Sequence, residues 1–248
     1  MKAHHLLSLA TLALGTLGIG SAASITNFDL GSGGTNVGSG FGNVRTWTNV
    51  QGTGITITAT AFSASSVGTG LVASQLGQYS GLGLGVCNPG EGTGCGDPNH
   101  QVDNSGYYDF VLFTFSAPVS ALSFVADPYG NYDSDATYYT RNGNSGYTIL
   151  GKTLAQLVST QGFNSPLNDD ISCCGNTNTV PVTGSGITSI LFGTRVGGDS
   201  HVDYFKIHTL SATTTPGQVG DVPEPATFGL LGASLLGIGL MRRRSQKR

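Results

Sequence analysis

The residues best suited to chemistry are aspartates set in turn-like sequence. Residues 96–106 (GDPNHQVDNSG) carry Asp97, Asp103 and Asn104, and residues 127–135 (DPYGNYDSD) carry Asp127, Asp133 and Asp135. Carboxylates, amide oxygens and loop carbonyls are hard ligands, and Ca²⁺ gathers roughly six to eight of them. If two or three of these side chains converge, Ca²⁺ binding is the expected chemistry. The second segment is not an EF-hand, because its acids, its glycine and a terminal Glu do not fall at the required spacing. Acid–base catalysis is the other use for such residues. Asp103 with Asp109 or Asp203 could form a carboxylate pair for glycoside hydrolysis, and His100 with Asp103, or His201 with Asp203, resembles part of a triad. No His-Glu-x-x-His, Gly-x-Ser-x-Gly or Walker A pattern is present. Glutamate occurs only at Glu91 and Glu224. The expectation is a non-enzymatic protein, with Ca²⁺ as the candidate ligand.

The four cysteines fall in two places. Cys87 and Cys95 bracket a polar, glycine-rich loop, and Cys173 and Cys174 are adjacent. Four cysteines in an oxidising compartment allow three pairings. Cys87–Cys95 with Cys173–Cys174 is the favoured set, and crossed pairing is the competitor. Zinc does not suit the spacing, and no histidine stands beside the second pair. Residues 81–86 (GLGLGV) lack the following helix that a phosphate loop needs, so they read as strand or turn. Trp47, the one tryptophan, belongs in the core or against a sheet edge; stacking on a sugar ring is its functional alternative.

These groups must be positioned by short strands. Residues 55–61 alternate apolar and Thr side chains, the mark of a half-buried strand. Further strands are expected over residues 24–30, 71–79, 107–115, 121–126, 186–196 and 201–210, with a break at Ala117-Pro118-Val119. Another pair, residues 136–140 and 147–150, flanks an Asn142-Gly143 turn. Residues 153–159 are the one convincing helix, and residues 168–170 read as a loop. Strands joined by turns with almost no helix predict an all-β fold, a single jelly-roll-like β-sandwich, with barrel closure as the alternative.

The two ends of the chain read differently from this body. Residues 1–23 form a secretory signal: Lys2, an apolar run over residues 6–19, then Ser21-Ala22-Ala23, with the cut after Ala23. At the other end, Val222-Pro223-Glu224-Pro225-Ala226 opens a segment held extended by its prolines. Residues 226–241 are apolar, about 24 Å if helical and marginal for a membrane span. Arg242, Arg243 and Arg244 follow, with Lys247 and Arg248, and such cations stay on the cytoplasmic side. The Pro-Glu-Pro motif, the apolar run and the Arg cluster, in that order, resemble the PEP-CTERM sorting signal. The resemblance implies a protein exported by a Gram-negative, exopolysaccharide-making bacterium. It implies recognition at Pro223-Glu224-Pro225 by an exosortase, a transient inner-membrane stage through a hydrophobic helix over 226–241, and release to the cell surface or extracellular matrix. Residues 100–104, ahead of the strand at 107–115, resemble the body of many such proteins.

The expected domains are then a signal peptide over 1–23, a β-sandwich body over 24–210, a Ser/Thr/Pro linker over 211–221 and the sorting signal over 222–248. The segment from 24 to 221 holds five cations and 13 acids, a net charge of −8. That balance excludes nucleic acid, whose binding needs Lys and Arg to displace counterions. Signal peptidase and exosortase are the expected partners, with exopolysaccharide as a possible ligand and a Ca²⁺-dependent glycan-binding module as the alternative role. A polysaccharide hydrolase ranks third.

Overall fold

A computed structural model describes residues 22–92, 94–95, 100–143, 146–170, 174–197 and 201–214. The described residues form strands β1 (Ser24–Asp29), β2 (Thr35–Val37), β3 (Val44–Trp47), β4 (Ile57–Ala64), β5 (Val72–Ala73), β6 (Gln75–Tyr79) and β7 (Gly83–Cys87). They continue with β8 (Val102–Asp103), β9 (Tyr108–Pro128), β10 (Ala136–Asn142), helix α1 (Leu154–Thr160), β11 (Leu167–Asp169), β12 (Asn178–Val182), β13 (Ile187–Thr194) and β14 (Tyr204–Thr214). The fold is all-β, as the alternation predicts.

β9 organises it. Its first half lies between β4, in register from Ala64↔Tyr108 to Ile57↔Phe115, and β13, from Gly193↔Phe110 to Ser189↔Thr114. Its second half lies between β12 and β14, which pair across Leu122–Ala126 and Val119–Pro128 respectively. The strand therefore passes from one layer to the other, and one continuous sheet folds over on itself instead of two separate sheets stacking. Phe113 and Phe124, eleven positions apart on this strand, meet with ring centroids 4.9 Å apart. Phe192 and Phe205 extend that contact from the neighbouring strands. Large fully buried aromatic rings dominate the energetics of such a core.

The expected break at residues 117–119 is absent. β9 runs through Pro118, which falls in the irregular stretch where the β13 register shifts between Val119 and Thr114. Proline is tolerated there because no regular ladder bond is required of it. Residues 147–150 are not a strand: β13 pairs along one side of β10, and β11 takes Ala136–Tyr138 on the other. Tyr147 instead packs edge-on against Phe163 at 5.4 Å and beneath the Arg141 guanidinium. Residues 168–170, expected as a loop, mostly belong to β11. β14 runs on to Thr214, four residues into the segment that composition assigns to a linker. α1 forms where expected, capped by a reciprocal box in which Gln156 N–H donates to the Thr153 hydroxyl and Thr153 N–H donates to the Gln156 side chain.

Candidate functional site

At the end of the sheet where β14 begins, three buried aspartates converge. Asp133 follows β9, Asp135 immediately precedes β10, and Asp203 immediately precedes β14. An isolated parallel bridge joins Asp133 to Asp203, and Tyr204 N–H donates to the Asp133 carbonyl at 3.0 Å. One carboxylate oxygen from each of Asp133, Asp135 and Asp203 lies within 4.8 Å of the other two, all on buried residues. Asn104 donates from its side chain to Asp203 Oδ2 at 2.8 Å, and Asp203 N–H returns a bond to Asn104 Oδ1. The Arg195 backbone N–H donates to Asp203 Oδ2 at 3.0 Å, and its Nη1 donates to Asp135 Oδ2 at 2.8 Å and Asp170 Oδ2 at 2.6 Å. The hydrogen bond it donates to Asp135 holds the guanidinium above its ordinary pKa, against the effect of burial. Of the three clustered carboxylates the guanidinium pairs with Asp135, and its further partner Asp170 stands outside the cluster; three acids against one guanidinium is a balance that suits a divalent cation.

Of the six expected ligands, Asp133 and Asp135 enter this cluster and Asn104 supports it through Asp203. Asp127 instead accepts a bond from the Thr177 hydroxyl, and Asp103 lies in a different cluster. Asp97 lies outside the described residues. Asp203, which the sequence offers only as a catalytic partner, and Arg195, which nothing in the sequence marks, complete the site. Asp203 reads in sequence as one position of an alternating strand, and nothing local links it to Asp133, 70 positions earlier.

The second cluster surrounds the Cys87–Cys95 loop. The disulfide joins the expected pair with Cα atoms 5.8 Å apart. Cys174 is also disulfide-bonded, and Cys173 lies outside the described residues. Asp109 is fully buried and accepts from the Ser63 hydroxyl at 2.6 Å, with Asn88 Nδ2 at 3.4 Å. Burial and the nearby Asp103 charge push its carboxyl well above the ordinary range. Asp103 accepts from Ser105 N–H at 2.9 Å, and burial pushes it up to about 7. Glu91 pairs with His100 at 3.3 Å and accepts from Asn88 N–H.

Exposed aromatic surface lies beside the three-aspartate cluster. Tyr129 is 54% and Tyr132 45% exposed. Tyr129 stacks toward Tyr132 at 6.5 Å, and Tyr132 tilts over Tyr204 at 4.6 Å. Trp47, by contrast, is buried: it meets Phe28 edge-on at 6.0 Å and donates its indole N–H to the Ser32 carbonyl. Gly34, at φ +72°, sits so close that an added Cβ would lie 2.7 Å from the indole nitrogen. Trp47 therefore serves the core and not a sugar, although it borders a cavity of about 310 Å³.

The sorting signal expected at residues 222–248 and the signal peptide upstream of residue 22 lie outside the described residues. Among the described residues no helix is long and apolar enough to cross a membrane. The chain matches no curated protein and no solved structure. One family model does match, over residues 221–244, and these span Pro223-Glu224-Pro225, the apolar run and Arg242 to Arg244: the chain carries the PEP-CTERM protein-sorting motif.

Proposed function

We propose that this chain is a non-enzymatic protein of the cell surface or exopolysaccharide matrix, exported behind a signal peptide that ends at Ala23 and processed by an exosortase. The single observation that carries this reading is the PEP-CTERM motif at residues 221–244. The Pro-Glu-Pro sequence, whose prolines disfavour a helix, suits a protease cleft, and the apolar run with its arginines suits a transient stop in the inner membrane. The test is the intact mass and cell fraction of the mature protein, wild type against a variant with Pro223, Glu224 and Pro225 all changed to Ala. The wild type is expected to lose the residues after the motif and to leave the inner membrane, while the variant keeps them and stays. A wild type that retains Arg248 in the inner membrane refutes the reading.

A second reading, Ca²⁺-dependent glycan binding, is favoured by one observation: the Asp133, Asp135 and Asp203 cluster lies beside the exposed rings of Tyr129 and Tyr132. Aromatic faces suit sugar C–H surfaces. A ligand at about 100 times its Kd stabilises by about 2.7 kcal/mol, so millimolar Ca²⁺ should raise Tm by several degrees over EDTA. Asp203→Asn, which keeps an oxygen for Asn104 and Arg195, should lose most of that rise. Identical melting curves with and without Ca²⁺ in the wild type would remove the metal from this reading.

A further inference from the structure

The peptide bond expected to be cut by signal peptidase lies inside the last rungs of the folded sheet. Ala23 N–H donates to the Thr214 hydroxyl at 2.8 Å, and the Ala23 carbonyl accepts from Thr214 N–H at 2.8 Å. Ser24 then pairs with Thr213 and Ile25 with Ala212. Ile25 is 2% exposed, so the ladder just past the cut is anchored in the core. A protease takes an extended substrate by pairing with its backbone, as an added strand does, and it must polarise the carbonyl it attacks. In the folded chain Thr214 already holds that carbonyl, and β14 already occupies that pairing edge.

We propose that β1 and β14 form a clasp that hides the signal-peptidase site, so that the cut must precede closure of the body. This rests on the reading that cleavage falls after Ala23. The order of export supplies the opportunity. The N-terminal end emerges first, whereas Thr214 lies 191 positions after Ala23. Closing so long a loop is entropically costly, and such non-local pairing forms late. In the cut itself, water adds across the Ala23–Ser24 amide, leaving an Ala23 carboxylate on the released peptide and a Ser24 ammonium on the body. Loss of Ala23 also removes both of its bonds to Thr214, so the mature ladder starts at Ser24 and Thr213.

The test uses the folded full chain in detergent micelles with purified signal peptidase, and a synthetic peptide of residues 1–30 as the unfolded reference. Mass spectrometry locates the cut. The peptide is expected to be cut between Ala23 and Ser24, and the folded chain at least roughly tenfold more slowly, since cleavage there needs local opening. Thr214→Pro deletes the N–H that the Ala23 carbonyl receives and should restore most of the peptide's rate. Hydrogen exchange gives a readout independent of that variant's folding. The Thr214 amide should be protected in the uncut chain and should exchange faster in a chain beginning at Ser24. A folded wild type cut at the peptide's rate, or equal Thr214 exchange in both chains, overturns the clasp. A peptide left intact at Ala23 overturns the cleavage reading itself, a distinct failure that removes the clasp's premise.

Discussion

Asp103 shows how a single buried carboxyl shapes the response to pH. Burial raises it to about 7, with the Ser105 N–H opposing and the Glu91 charge reinforcing the shift. The unfolded chain releases this proton near pH 4, so between about pH 4 and 7 the folded state binds more protons than the unfolded one. Stability contributed by the neutral carboxyl is full below pH 4 and is lost as pH rises to 7. At about 1.4 kcal/mol per pH unit, the loss reaches about 4 kcal/mol at most. Asp103→Asn keeps an oxygen for Ser105 and removes the titration. Its Tm at pH 8 should exceed the wild type's by up to about 10 °C, with little gain at pH 4, as calorimetry across that range would show; an equal shift at both pH values would refute the assignment. Residue-level features were legible in sequence where their partners were local. The Cys87–Cys95 bridge and helix α1 each close over a few positions. The three-aspartate cluster was only half legible, because Asp203 meets Asp133 through a long-range bridge.

Strands reveal themselves through alternation, and their pairing rests on places where nothing may protrude. β4 keeps its apolar residues inward and sets Thr58 against Thr114 of β9, hydroxyl to hydroxyl. Gly193, inside the apolar β13, looks in sequence like a weak point. In the sheet it lies opposite Phe110, and a Cβ there would fall 2.5 Å from the Phe110 ring and 2.8 Å from its Cα. Its φ is not in the left-handed region, so the constraint is purely steric. Gly193→Ala should therefore destabilise by about 3 kcal/mol, the upper part of the overpacking range, measurable as a lower denaturation midpoint with an unchanged m-value. Stability within about 0.5 kcal/mol of wild type would show that the two strands can separate at no cost. Element boundaries were less legible than elements. β9 continues through Pro118 because a register shift absorbs the missing donor, and β11 exists only because β10 offers an open side to Ala136–Tyr138. Neither fact is local to the segment it governs.

At the scale of the whole molecule, the all-β class was legible from composition and turn spacing, whereas the folding-over of one sheet was not. It depends on Phe113 meeting Phe124 within a single strand, a contact that only a bent β9 can make. The net −8 of residues 24–221 was legible as a sum but not as a distribution, since convergence of Asp133, Asp135 and Asp203 at one place is a property of the fold. The pairing of Ala23 with Thr214 fixes an orientation as well. Both ends of the body leave from the same side, so whatever grips the chain by its tail grips it there. β14 runs from that side to Tyr204 over 11 residues, about 33 Å at strand rise. The aspartates and tyrosines stand at the far end of that strand, opposite the side from which both ends leave. A cation or sugar bound there would therefore sit about one strand length, roughly 33 Å, from both ends of the body.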